Sequence, residues 1–261
     1  MPKLDVRDID LYYETAGQGQ PILFIHGLGS SSRDWELQVA FFSQHYQVVT
    51  FDVRGHGQSD KPPGPYSIPL FATDTAELIK LLGIGPAHVV GISMGGMIAF
   101  QLAVSALDLV GSLVIVNSAP ELVLRTLKER ISGLQRLLIV RLLGMRKMGE
   151  VLSKRLFPKP EHEELRRIFV ERWAENDKRA YFDAMKALVG WSVADRLGDI
   201  RCPTLVIAAD EDYTPVSLKQ AYVAKMVQAE LVVIEDSRHG TPVEQPEQFN
   251  QALMTFLSKQ A

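Results

Sequence analysis

The feature that most constrains this chain is an apolar run that ends in a Gly-x-Ser-x-Gly pattern at residues 91–95. Residues 89–92 have the apolar character of a buried strand, and residues 95–106 are small and apolar like a packed helix. Together they predict a strand, a sharp turn at Ser93 and a helix. Such a turn strains the serine backbone, and the glycines on either side leave room where the helix crosses the strand. The Ser93 hydroxyl is then presented beside a helix N-terminus, which favours a developing oxyanion.

Further short apolar runs alternate with helical patterns before and after this motif. This alternation predicts an α/β fold, with a mostly parallel central sheet flanked by helices. The carboxyl ends of parallel strands meet at one edge of a sheet, where sites commonly form. Several polar residues directly follow strand-like runs, and we expect them at that edge: His26, Asp52, Ser93, Asn117, Asp212 and His239.

Residues 121–195 interrupt the alternation with a helical pattern. We therefore predict an α/β core of residues 1–120 and 196–261, with a helical cap of residues 121–195 inserted after the sixth strand. The leading part of the cap is basic and apolar, which favours a lid whose inner face contacts an apolar substrate. A membrane-surface helix and a cap that only packs on the sheet are the alternatives. The apolar residues on which the lid prediction depends are Leu122, Leu124, Leu127, Ile131, Leu134, Leu137, Leu138, Val140, Leu142 and Leu143.

A serine hydroxyl is a poor nucleophile unless a base lies within hydrogen-bond reach, and histidine titrates in the right range. The sequence has 6 histidines. His45 and His88 precede strands and are expected at the wrong end of the sheet, and His162 is expected to be exposed on the cap. His26 and His56 lie in glycine-flanked loops at the right end, and His239 follows the last strand, from which its ring can reach a central strand.

A carboxylate is needed to orient the histidine. Asp210, Glu211 and Asp212 follow the strand before the last one, so the order of serine, acid and His239 is the one expected for this architecture. The strand at residues 114–116 is followed by Asn117, which is not an acid. Asp210 and Glu211 are more typical of turn formers or solvent-facing helix caps, so Asp212 is favoured.

Composition narrows the classes of partner. The 28 basic and 31 acidic residues give a net charge of −3, which gives no indication of a nucleic-acid partner. A single cysteine, Cys202, excludes an internal disulfide and a multi-cysteine metal site. No apolar signal-peptide core or membrane-length run is present. We therefore expect a cytoplasmic enzyme without stable membrane insertion, and the sequence sets no oligomeric state.

These motifs resemble the α/β-hydrolase superfamily over essentially the whole chain. The matching residues are His26-Gly27-Leu28-Gly29, Asp52-Val53-Arg54-Gly55-His56-Gly57-Gln58-Ser59, Gly91-Ile92-Ser93-Met94-Gly95-Gly96, Asp210-Glu211-Asp212 and His239.

The resemblance implies a role for each residue of a candidate triad. It implies that Ser93 is the nucleophile, Asp212 the acid and His239 the base. It also implies that the backbone N–H groups of Leu28 and Met94 form an oxyanion hole. A serine at the elbow argues against dehalogenases and epoxide hydrolases of this fold, which have aspartate there. Ala209 departs from the glycine that relatives often have.

The same resemblance implies a serine hydrolase of a small-molecule carboxylic ester or lactone, acting through an acyl-enzyme without a metal or cofactor. The apolar cap residues suggest an apolar or medium-chain acyl preference. A cofactor-free perhydrolase, often called a haloperoxidase, and a carbon–carbon bond hydrolase are alternatives with the same machinery. A catalytically silent ligand-binding protein of this fold is an alternative of another class, against which the complete set of Ser93, Asp212 and His239 argues.

Overall fold

Eight strands form one twisted sheet. The computed structural model describes residues 2–260 apart from the side chains of Lys128 and Glu129, so Met1 and Ala261 of the predicted core lie outside the described residues. The strands are β1 (Lys3–Val6), β2 (Ile9–Ala16), β3 (Pro21–Ile25), β4 (Gln47–Phe51), β5 (Ala87–Ile92), β6 (Val110–Val116), β7 (Thr204–Ala209) and β8 (Ala229–Ile234). Their spatial order is β1-β2-β4-β3-β5-β6-β7-β8. The first two pairings are antiparallel and the others parallel, which confirms the predicted fold class.

Helices cover both faces of the sheet. Along the described chain they are α1 (Glu36–Phe42), α2 (Ile68–Leu82), α3 (Met94–Ser105), α4 (Leu127–Leu156), α5 (Glu163–Ala174), α6 (Lys178–Leu188), α7 (Val216–Val223), α8 (Thr241–Glu244) and α9 (Pro246–Leu257). Because side chains alternate along a strand, Ile22 and Phe24 pack with α1 and α9, whereas Leu23 and Ile25 pack with α2 and α3. Strands buried on both faces explain the nearly continuous apolar runs of the sequence.

Local signals set the ends of the core helices. Ser67 Oγ accepts a hydrogen bond of 3.1 Å from Leu70 N at the start of α2, and Gly83 ends it with a φ of 64°. The sequence predicted the glycine stop and placed the helix start two residues late, at Leu70 rather than Ile68. The single closing helix predicted from about residue 243 is instead two helices, α8 and α9, because Gln245 between them has φ −132° and ψ 60°.

The helices α4, α5 and α6 lie between β6 and β7 in the chain, where the sequence predicted an insertion after the sixth strand. They share a small apolar cluster of their own, against which Leu28 packs: Val140, Met145, Met148, Trp173 and Tyr181. Much of the apolar side of α4 faces solvent instead of the sheet: Leu127, Ile131, Leu134, Leu138, Leu142 and Leu143 are exposed. The division of the chain into a core and a lid stays a prediction. Within the described residues, no helix is long and apolar enough to cross a membrane.

Candidate active site

Ser93 occupies the sharp turn between β5 and α3, with φ 55° and ψ −117°. A left-handed φ is uncommon for a residue with a side chain and marks a strained backbone. The turn needs glycine on both sides: a Cβ at Gly91 would lie 2.2 Å from Gly95 O, and a Cβ at Gly95 would lie 2.1 Å from Ile25 O. The predicted strand, turn and helix are therefore present, and steric crowding requires the two glycines.

The turn is held by neighbouring strand ends. Ser93 N donates to Val116 O over 3.0 Å, and Ser118 Oγ donates to Ser93 O over 2.7 Å. The residue after the serine, Met94, is the first of α3, so its N–H is among those that have no partner inside a helix. This leaves the Met94 N–H available to an acceptor beside Ser93.

The loop after β3 runs beside the serine, because a Cβ at Gly27 would lie 3.5 Å from Ser93 Cβ. His26 fixes this loop: its Nδ1 is 2.8 Å from Gly27 O, and its Nε2 accepts from Val53 N over 2.9 Å. These partners assign the tautomer with the proton on Nδ1. Burial lowers the pKa of His26, which keeps the ring neutral in that role. Leu28, the other predicted oxyanion donor, follows directly and is half-buried.

His239 and Asp212 form a close pair on the loops after β8 and β7. His239 Nδ1 is 2.9 Å from Asp212 Oδ1, and the Asp212 side chain is fully buried. Because Nδ1 donates to the carboxylate, Nε2 is the acceptor nitrogen of the neutral ring. This is the geometry that orients an imidazole as a base.

Asp212 also contacts a buried lysine that the sequence did not predict. Lys219 on α7 has no exposed surface, and its Nζ lies 2.8 Å from Asp212 Oδ2 and 2.6 Å from Thr214 O. Burial raises the pKa of the Asp212 carboxyl, but the hydrogen bonds and charges of His239 and Lys219 outweigh burial and bring it to about 2. Asp212 is therefore held as a carboxylate. A lysine on a helix normally indicates a solvated face, so the sequence carried no signal for this contact.

The acceptor nitrogen of His239 is bound to Tyr213. Tyr213 Oη lies 2.7 Å from His239 Nε2, and the two rings stack with centroids 4.2 Å apart. Half of the Tyr213 side chain is exposed, yet loss of solvent at its hydroxyl end and the Asp212 carboxylate raise its pKa. In the part of the chain that the structure describes, the ring nitrogens of His239 bond to Asp212 and Tyr213, and Ser93 is not among their partners. The structure thus brings the predicted acid and the predicted base together and places a tyrosine hydroxyl on the nitrogen that faces the serine in the expected mechanism.

Asn117 is a second residue whose role the sequence did not reveal. It follows β6 with a φ of 44°, and its Nδ2 donates to Arg238 O and His239 O, each over 3.1 Å, and to Thr241 Oγ1 over 2.8 Å. Its Oδ1 accepts from Ala209 N over 2.8 Å. Asn117 therefore ties the His239 loop to the ends of β6 and β7. Its place directly after a strand was the available signal.

The other candidate acids have structural partners. Asp210 accepts from Asp236 N and Ser237 N, each over 3.0 Å, as expected of a turn former. Glu211 pairs with Arg238.

None of the remaining histidines is among the described hydrogen-bond partners of Asp212 or His239. His56 is buried, with Nδ1 3.1 Å from Arg54 O, and His88 contacts Ser112 at the opposite end of the sheet. The prediction that His162 is exposed was wrong: it is buried against Phe157, with Nδ1 4.0 Å from Glu244. Across the described residues, no group of three or more His, Cys, Asp or Glu side chains has an arrangement able to hold a metal ion.

Comparison with known proteins places this chain among hydrolases. Residues 22–252 match the model of the alpha/beta hydrolase family. The chain is 32% identical to 3-oxoadipate enol-lactonase 2 of Acinetobacter baylyi, over 98% of this chain and 96% of that one. It is 31% identical to the (E)-2-((N-methylformamido)methylene)succinate hydrolase of the same organism, over 94% and 93%. The solved enol-lactonase of Burkholderia xenovorans LB400 superposes with a TM-score of 0.91 and 25% identity, covering 98% of this chain and all of that one.

Proposed function

Because this chain belongs to the alpha/beta hydrolase family, we propose that it is a serine hydrolase that cleaves a carboxylic ester or lactone through an acyl-enzyme on Ser93. The observation that carries the proposal is the bond between His239 Nδ1 and the buried Asp212 carboxylate, at the same sheet edge as the strained Ser93. An enol-lactone is a cyclic ester, so the enol-lactonase relative supports this reaction class.

In the first half of the reaction, Ser93 Oγ attacks the carbonyl carbon as His239 Nε2 takes the hydroxyl proton. Asp212 stabilises the imidazolium that forms, and Lys219 keeps the carboxylate charged. The N–H groups of Leu28 and Met94 donate to the oxyanion. The tetrahedral intermediate then collapses, and His239 returns the proton to the leaving alkoxide, which departs as an alcohol or, from a lactone, stays attached to the acyl group.

In the second half, water replaces the serine. His239 Nε2 takes a proton from the water as its oxygen attacks the acyl carbon, and Ser93 Oγ leaves with that proton. The acid product is released and the free serine is restored. Each half requires His239 Nε2 to exchange its bond with Tyr213 for one with Ser93 or water. Displacement of the Tyr213 hydroxyl is therefore a step of the proposed cycle.

We still propose a preference for an apolar or medium-chain acyl group, but different residues support it from those that the sequence suggested. The exposed leucines of α4 do not support it, because they face solvent. The apolar support comes instead from Trp173 and its cluster, which lies against Leu28 of the proposed oxyanion loop. A series of p-nitrophenyl acetate, butyrate and octanoate esters tests this preference through kcat/KM.

The experiment that tests the proposed function is hydrolysis of p-nitrophenyl butyrate by the Ser93→Ala protein. Loss of the nucleophile is expected to lower kcat by a factor on the order of 10⁴ to 10⁶, as for triads that act as a unit. Asp210→Asn is the matched control, since this carboxylate caps a turn nearby and takes no part in the proposed chemistry. Undiminished turnover by Ser93→Ala would remove Ser93 from the mechanism, and a wild-type protein that cleaves no ester or lactone would favour the silent ligand-binding alternative.

A further inference from the structure

An arginine on the cap lies against two neighbouring aromatic rings. The guanidinium carbon of Arg136 on α4 lies 5.6 Å from the ring centre of Tyr181 and 5.8 Å from that of Trp173. Its Nε also donates to the Tyr181 hydroxyl. Contacts of this kind fix a planar cation in one orientation. Arg136 is therefore positioned by its surroundings and partly buried.

No described residue forms a hydrogen bond with the two terminal nitrogens of this guanidinium. Within the described residues, Nε is the Arg136 nitrogen that makes a hydrogen bond, and no carboxylate lies within ion-pair distance. Other cap arginines do have acidic partners: Arg146 pairs with Glu171, and Arg167 with Glu164. A positioned guanidinium with two unused donors in one plane matches the two oxygens of a carboxylate.

The surroundings of Arg136 connect it to the candidate active site on two sides. On one side, Trp173 packs on the proposed oxyanion loop, where a Cβ at Gly29 would lie 2.8 Å from Trp173 Cη2. On the other side, the positive charge of Arg136 acts on the Tyr213 hydroxyl and opposes the rise in its pKa. That hydroxyl binds His239.

A second cap arginine faces the same tyrosine. The guanidinium carbon of Arg155 lies 5.2 Å from the Tyr213 ring centre, and no described carboxylate pairs with it. Its charge acts on the Tyr213 hydroxyl in the same direction as that of Arg136. Two cations therefore act on the Tyr213 hydroxyl, and no described carboxylate pairs with either, although the whole chain has a net charge of −3.

We propose that Arg136 binds a carboxylate group of the substrate, with Arg155 attracting the same charge from the exposed side, so that the substrate is an ester or lactone that carries a free carboxylate. This inference rests on the proposed function, whose reacting carbonyl lies at Ser93. The substrate then has an apolar stem along Trp173 and a carboxylate at the end of the acyl chain that lies away from the cleaved bond.

The kinetic test compares two esters of equal chain length, the mono-p-nitrophenyl ester of glutaric acid and p-nitrophenyl valerate. Arg136→Gln is expected to raise KM for the charged ester about 10- to 100-fold, the worth of a hydrogen-bonded charge pair. KM for the neutral ester, which has no carboxylate to lose, is expected to change by less than threefold. Arg136→Lys keeps the charge but loses the paired N–H donors of the guanidinium, so an intermediate KM is expected.

Arg141→Gln is the matched control, because Arg141 is exposed on the same helix and its side chain makes no contact with the site residues. The proposal is overturned if Arg136→Gln changes KM for both esters equally, or if wild-type protein prefers the neutral ester. It is also overturned if a phosphate group in place of the carboxylate binds more tightly.

A binding measurement separates this inference from the proposed function. The Ser93→Ala protein is titrated with glutarate in a calorimeter, with and without Arg136→Gln. Glutarate binding that disappears with Arg136→Gln supports the carboxylate site whatever the reaction is. Absence of binding in both proteins contradicts the site, while the Ser93→Ala kinetics still decide the mechanism.

Discussion

At the scale of single residues, the contact between Tyr213 and His239 decides how the candidate triad works. Asp212 fixes one ring nitrogen of His239, and the tyrosine hydroxyl occupies the other over 2.7 Å. The candidate base is thus oriented by Asp212 and bound to a neighbouring tyrosine. In the proposed mechanism, an entering substrate displaces this hydroxyl before Ser93 transfers its proton.

Removal of that hydroxyl is expected to raise activity. A neutral hydrogen bond is worth about 1 kcal/mol, so Tyr213→Phe frees His239 and increases kcat/KM about fivefold. Steady-state kinetics on p-nitrophenyl butyrate measure the change. Tyr12→Phe, which removes a hydroxyl bound to Glu14 on strand β2, is the control and leaves kcat/KM unchanged. A fall of tenfold or more in Tyr213→Phe would mean that the hydroxyl takes part in the chemistry.

Residue order was enough to predict the candidates for the triad, because chain position relative to strands decides which end of the sheet a side chain reaches. It did not predict their neighbours. Lys219 on α7 contacts Asp212, and Tyr213 on the loop after β7 contacts His239. Both contacts depend on the path of that loop, for which the sequence has no periodic signal. The burial of His162 was missed for the same reason, since its partner Phe157 precedes it in a loop.

At the scale of elements, α4 has the most unusual backbone of the described helices. Gly144 interrupts it with φ 84° and ψ 178°, a conformation that residues with a side chain rarely adopt. Gly133 lies in the same helix without a positive φ. A Cβ at either glycine would meet no atom within 4 Å, so the two positions differ in backbone conformation and not in crowding.

These two glycines give a matched pair of substitutions with opposite effects. Gly144→Ala is expected to lower the free energy of unfolding by about 1–3 kcal/mol, the cost of the strained conformation. Gly133→Ala is expected to raise it by about 0.5–1 kcal/mol, because alanine favours a helix interior. Denaturant unfolding measures both. Equal effects of the two substitutions would contradict the interruption at Gly144.

The elements of the sheet were predictable because strands buried on both faces leave nearly continuous apolar runs between polar ends. The sequence predicted that the cap is helical, but it did not predict which of the cap's leucines are buried. Helical spacing of leucines normally indicates a buried side, yet Leu134 and Leu138 are exposed because α4 packs mainly on α5 and α6. Spacing reports that a helix has an apolar side and does not report what covers it.

At the scale of the whole molecule, buried histidines couple stability to pH. Burial lowers the pKa of His26 and His88 and brings that of His56 to about 3. His56 Nε2 is buried and has no hydrogen-bond partner among the described atoms, so burial outweighs the backbone contacts that favour a charged ring. Between pH 6.5 and 3 the unfolded chain binds a proton at this residue that the folded protein does not. The stability that comes from neutral His56 is therefore complete above pH 6.5 and is lost as the pH falls below this value.

The His56→Asn protein is expected to lose less stability in acid than the wild type. One such group changes the free energy of unfolding by about 1.4 kcal/mol per pH unit in this window. Urea unfolding at several values between pH 6 and pH 4 gives the two curves, which converge as the pH falls. The carboxylates common to both proteins contribute equally to the two curves, so their effect cancels in the difference between the free energies of unfolding. Parallel curves would show that His56 takes up its proton equally in the folded and unfolded states.

We propose that three loops at one sheet edge make Ser93 a nucleophile. Labelling with a fluorophosphonate, followed by peptide mapping in a mass spectrometer, probes this reactivity without knowledge of the substrate. We expect one adduct on the wild-type protein, located on Ser93, none on Ser93→Ala, and much slower labelling of His239→Ala. An adduct on another residue, or wild-type protein that stays unlabelled, would show that Ser93 is not the nucleophile.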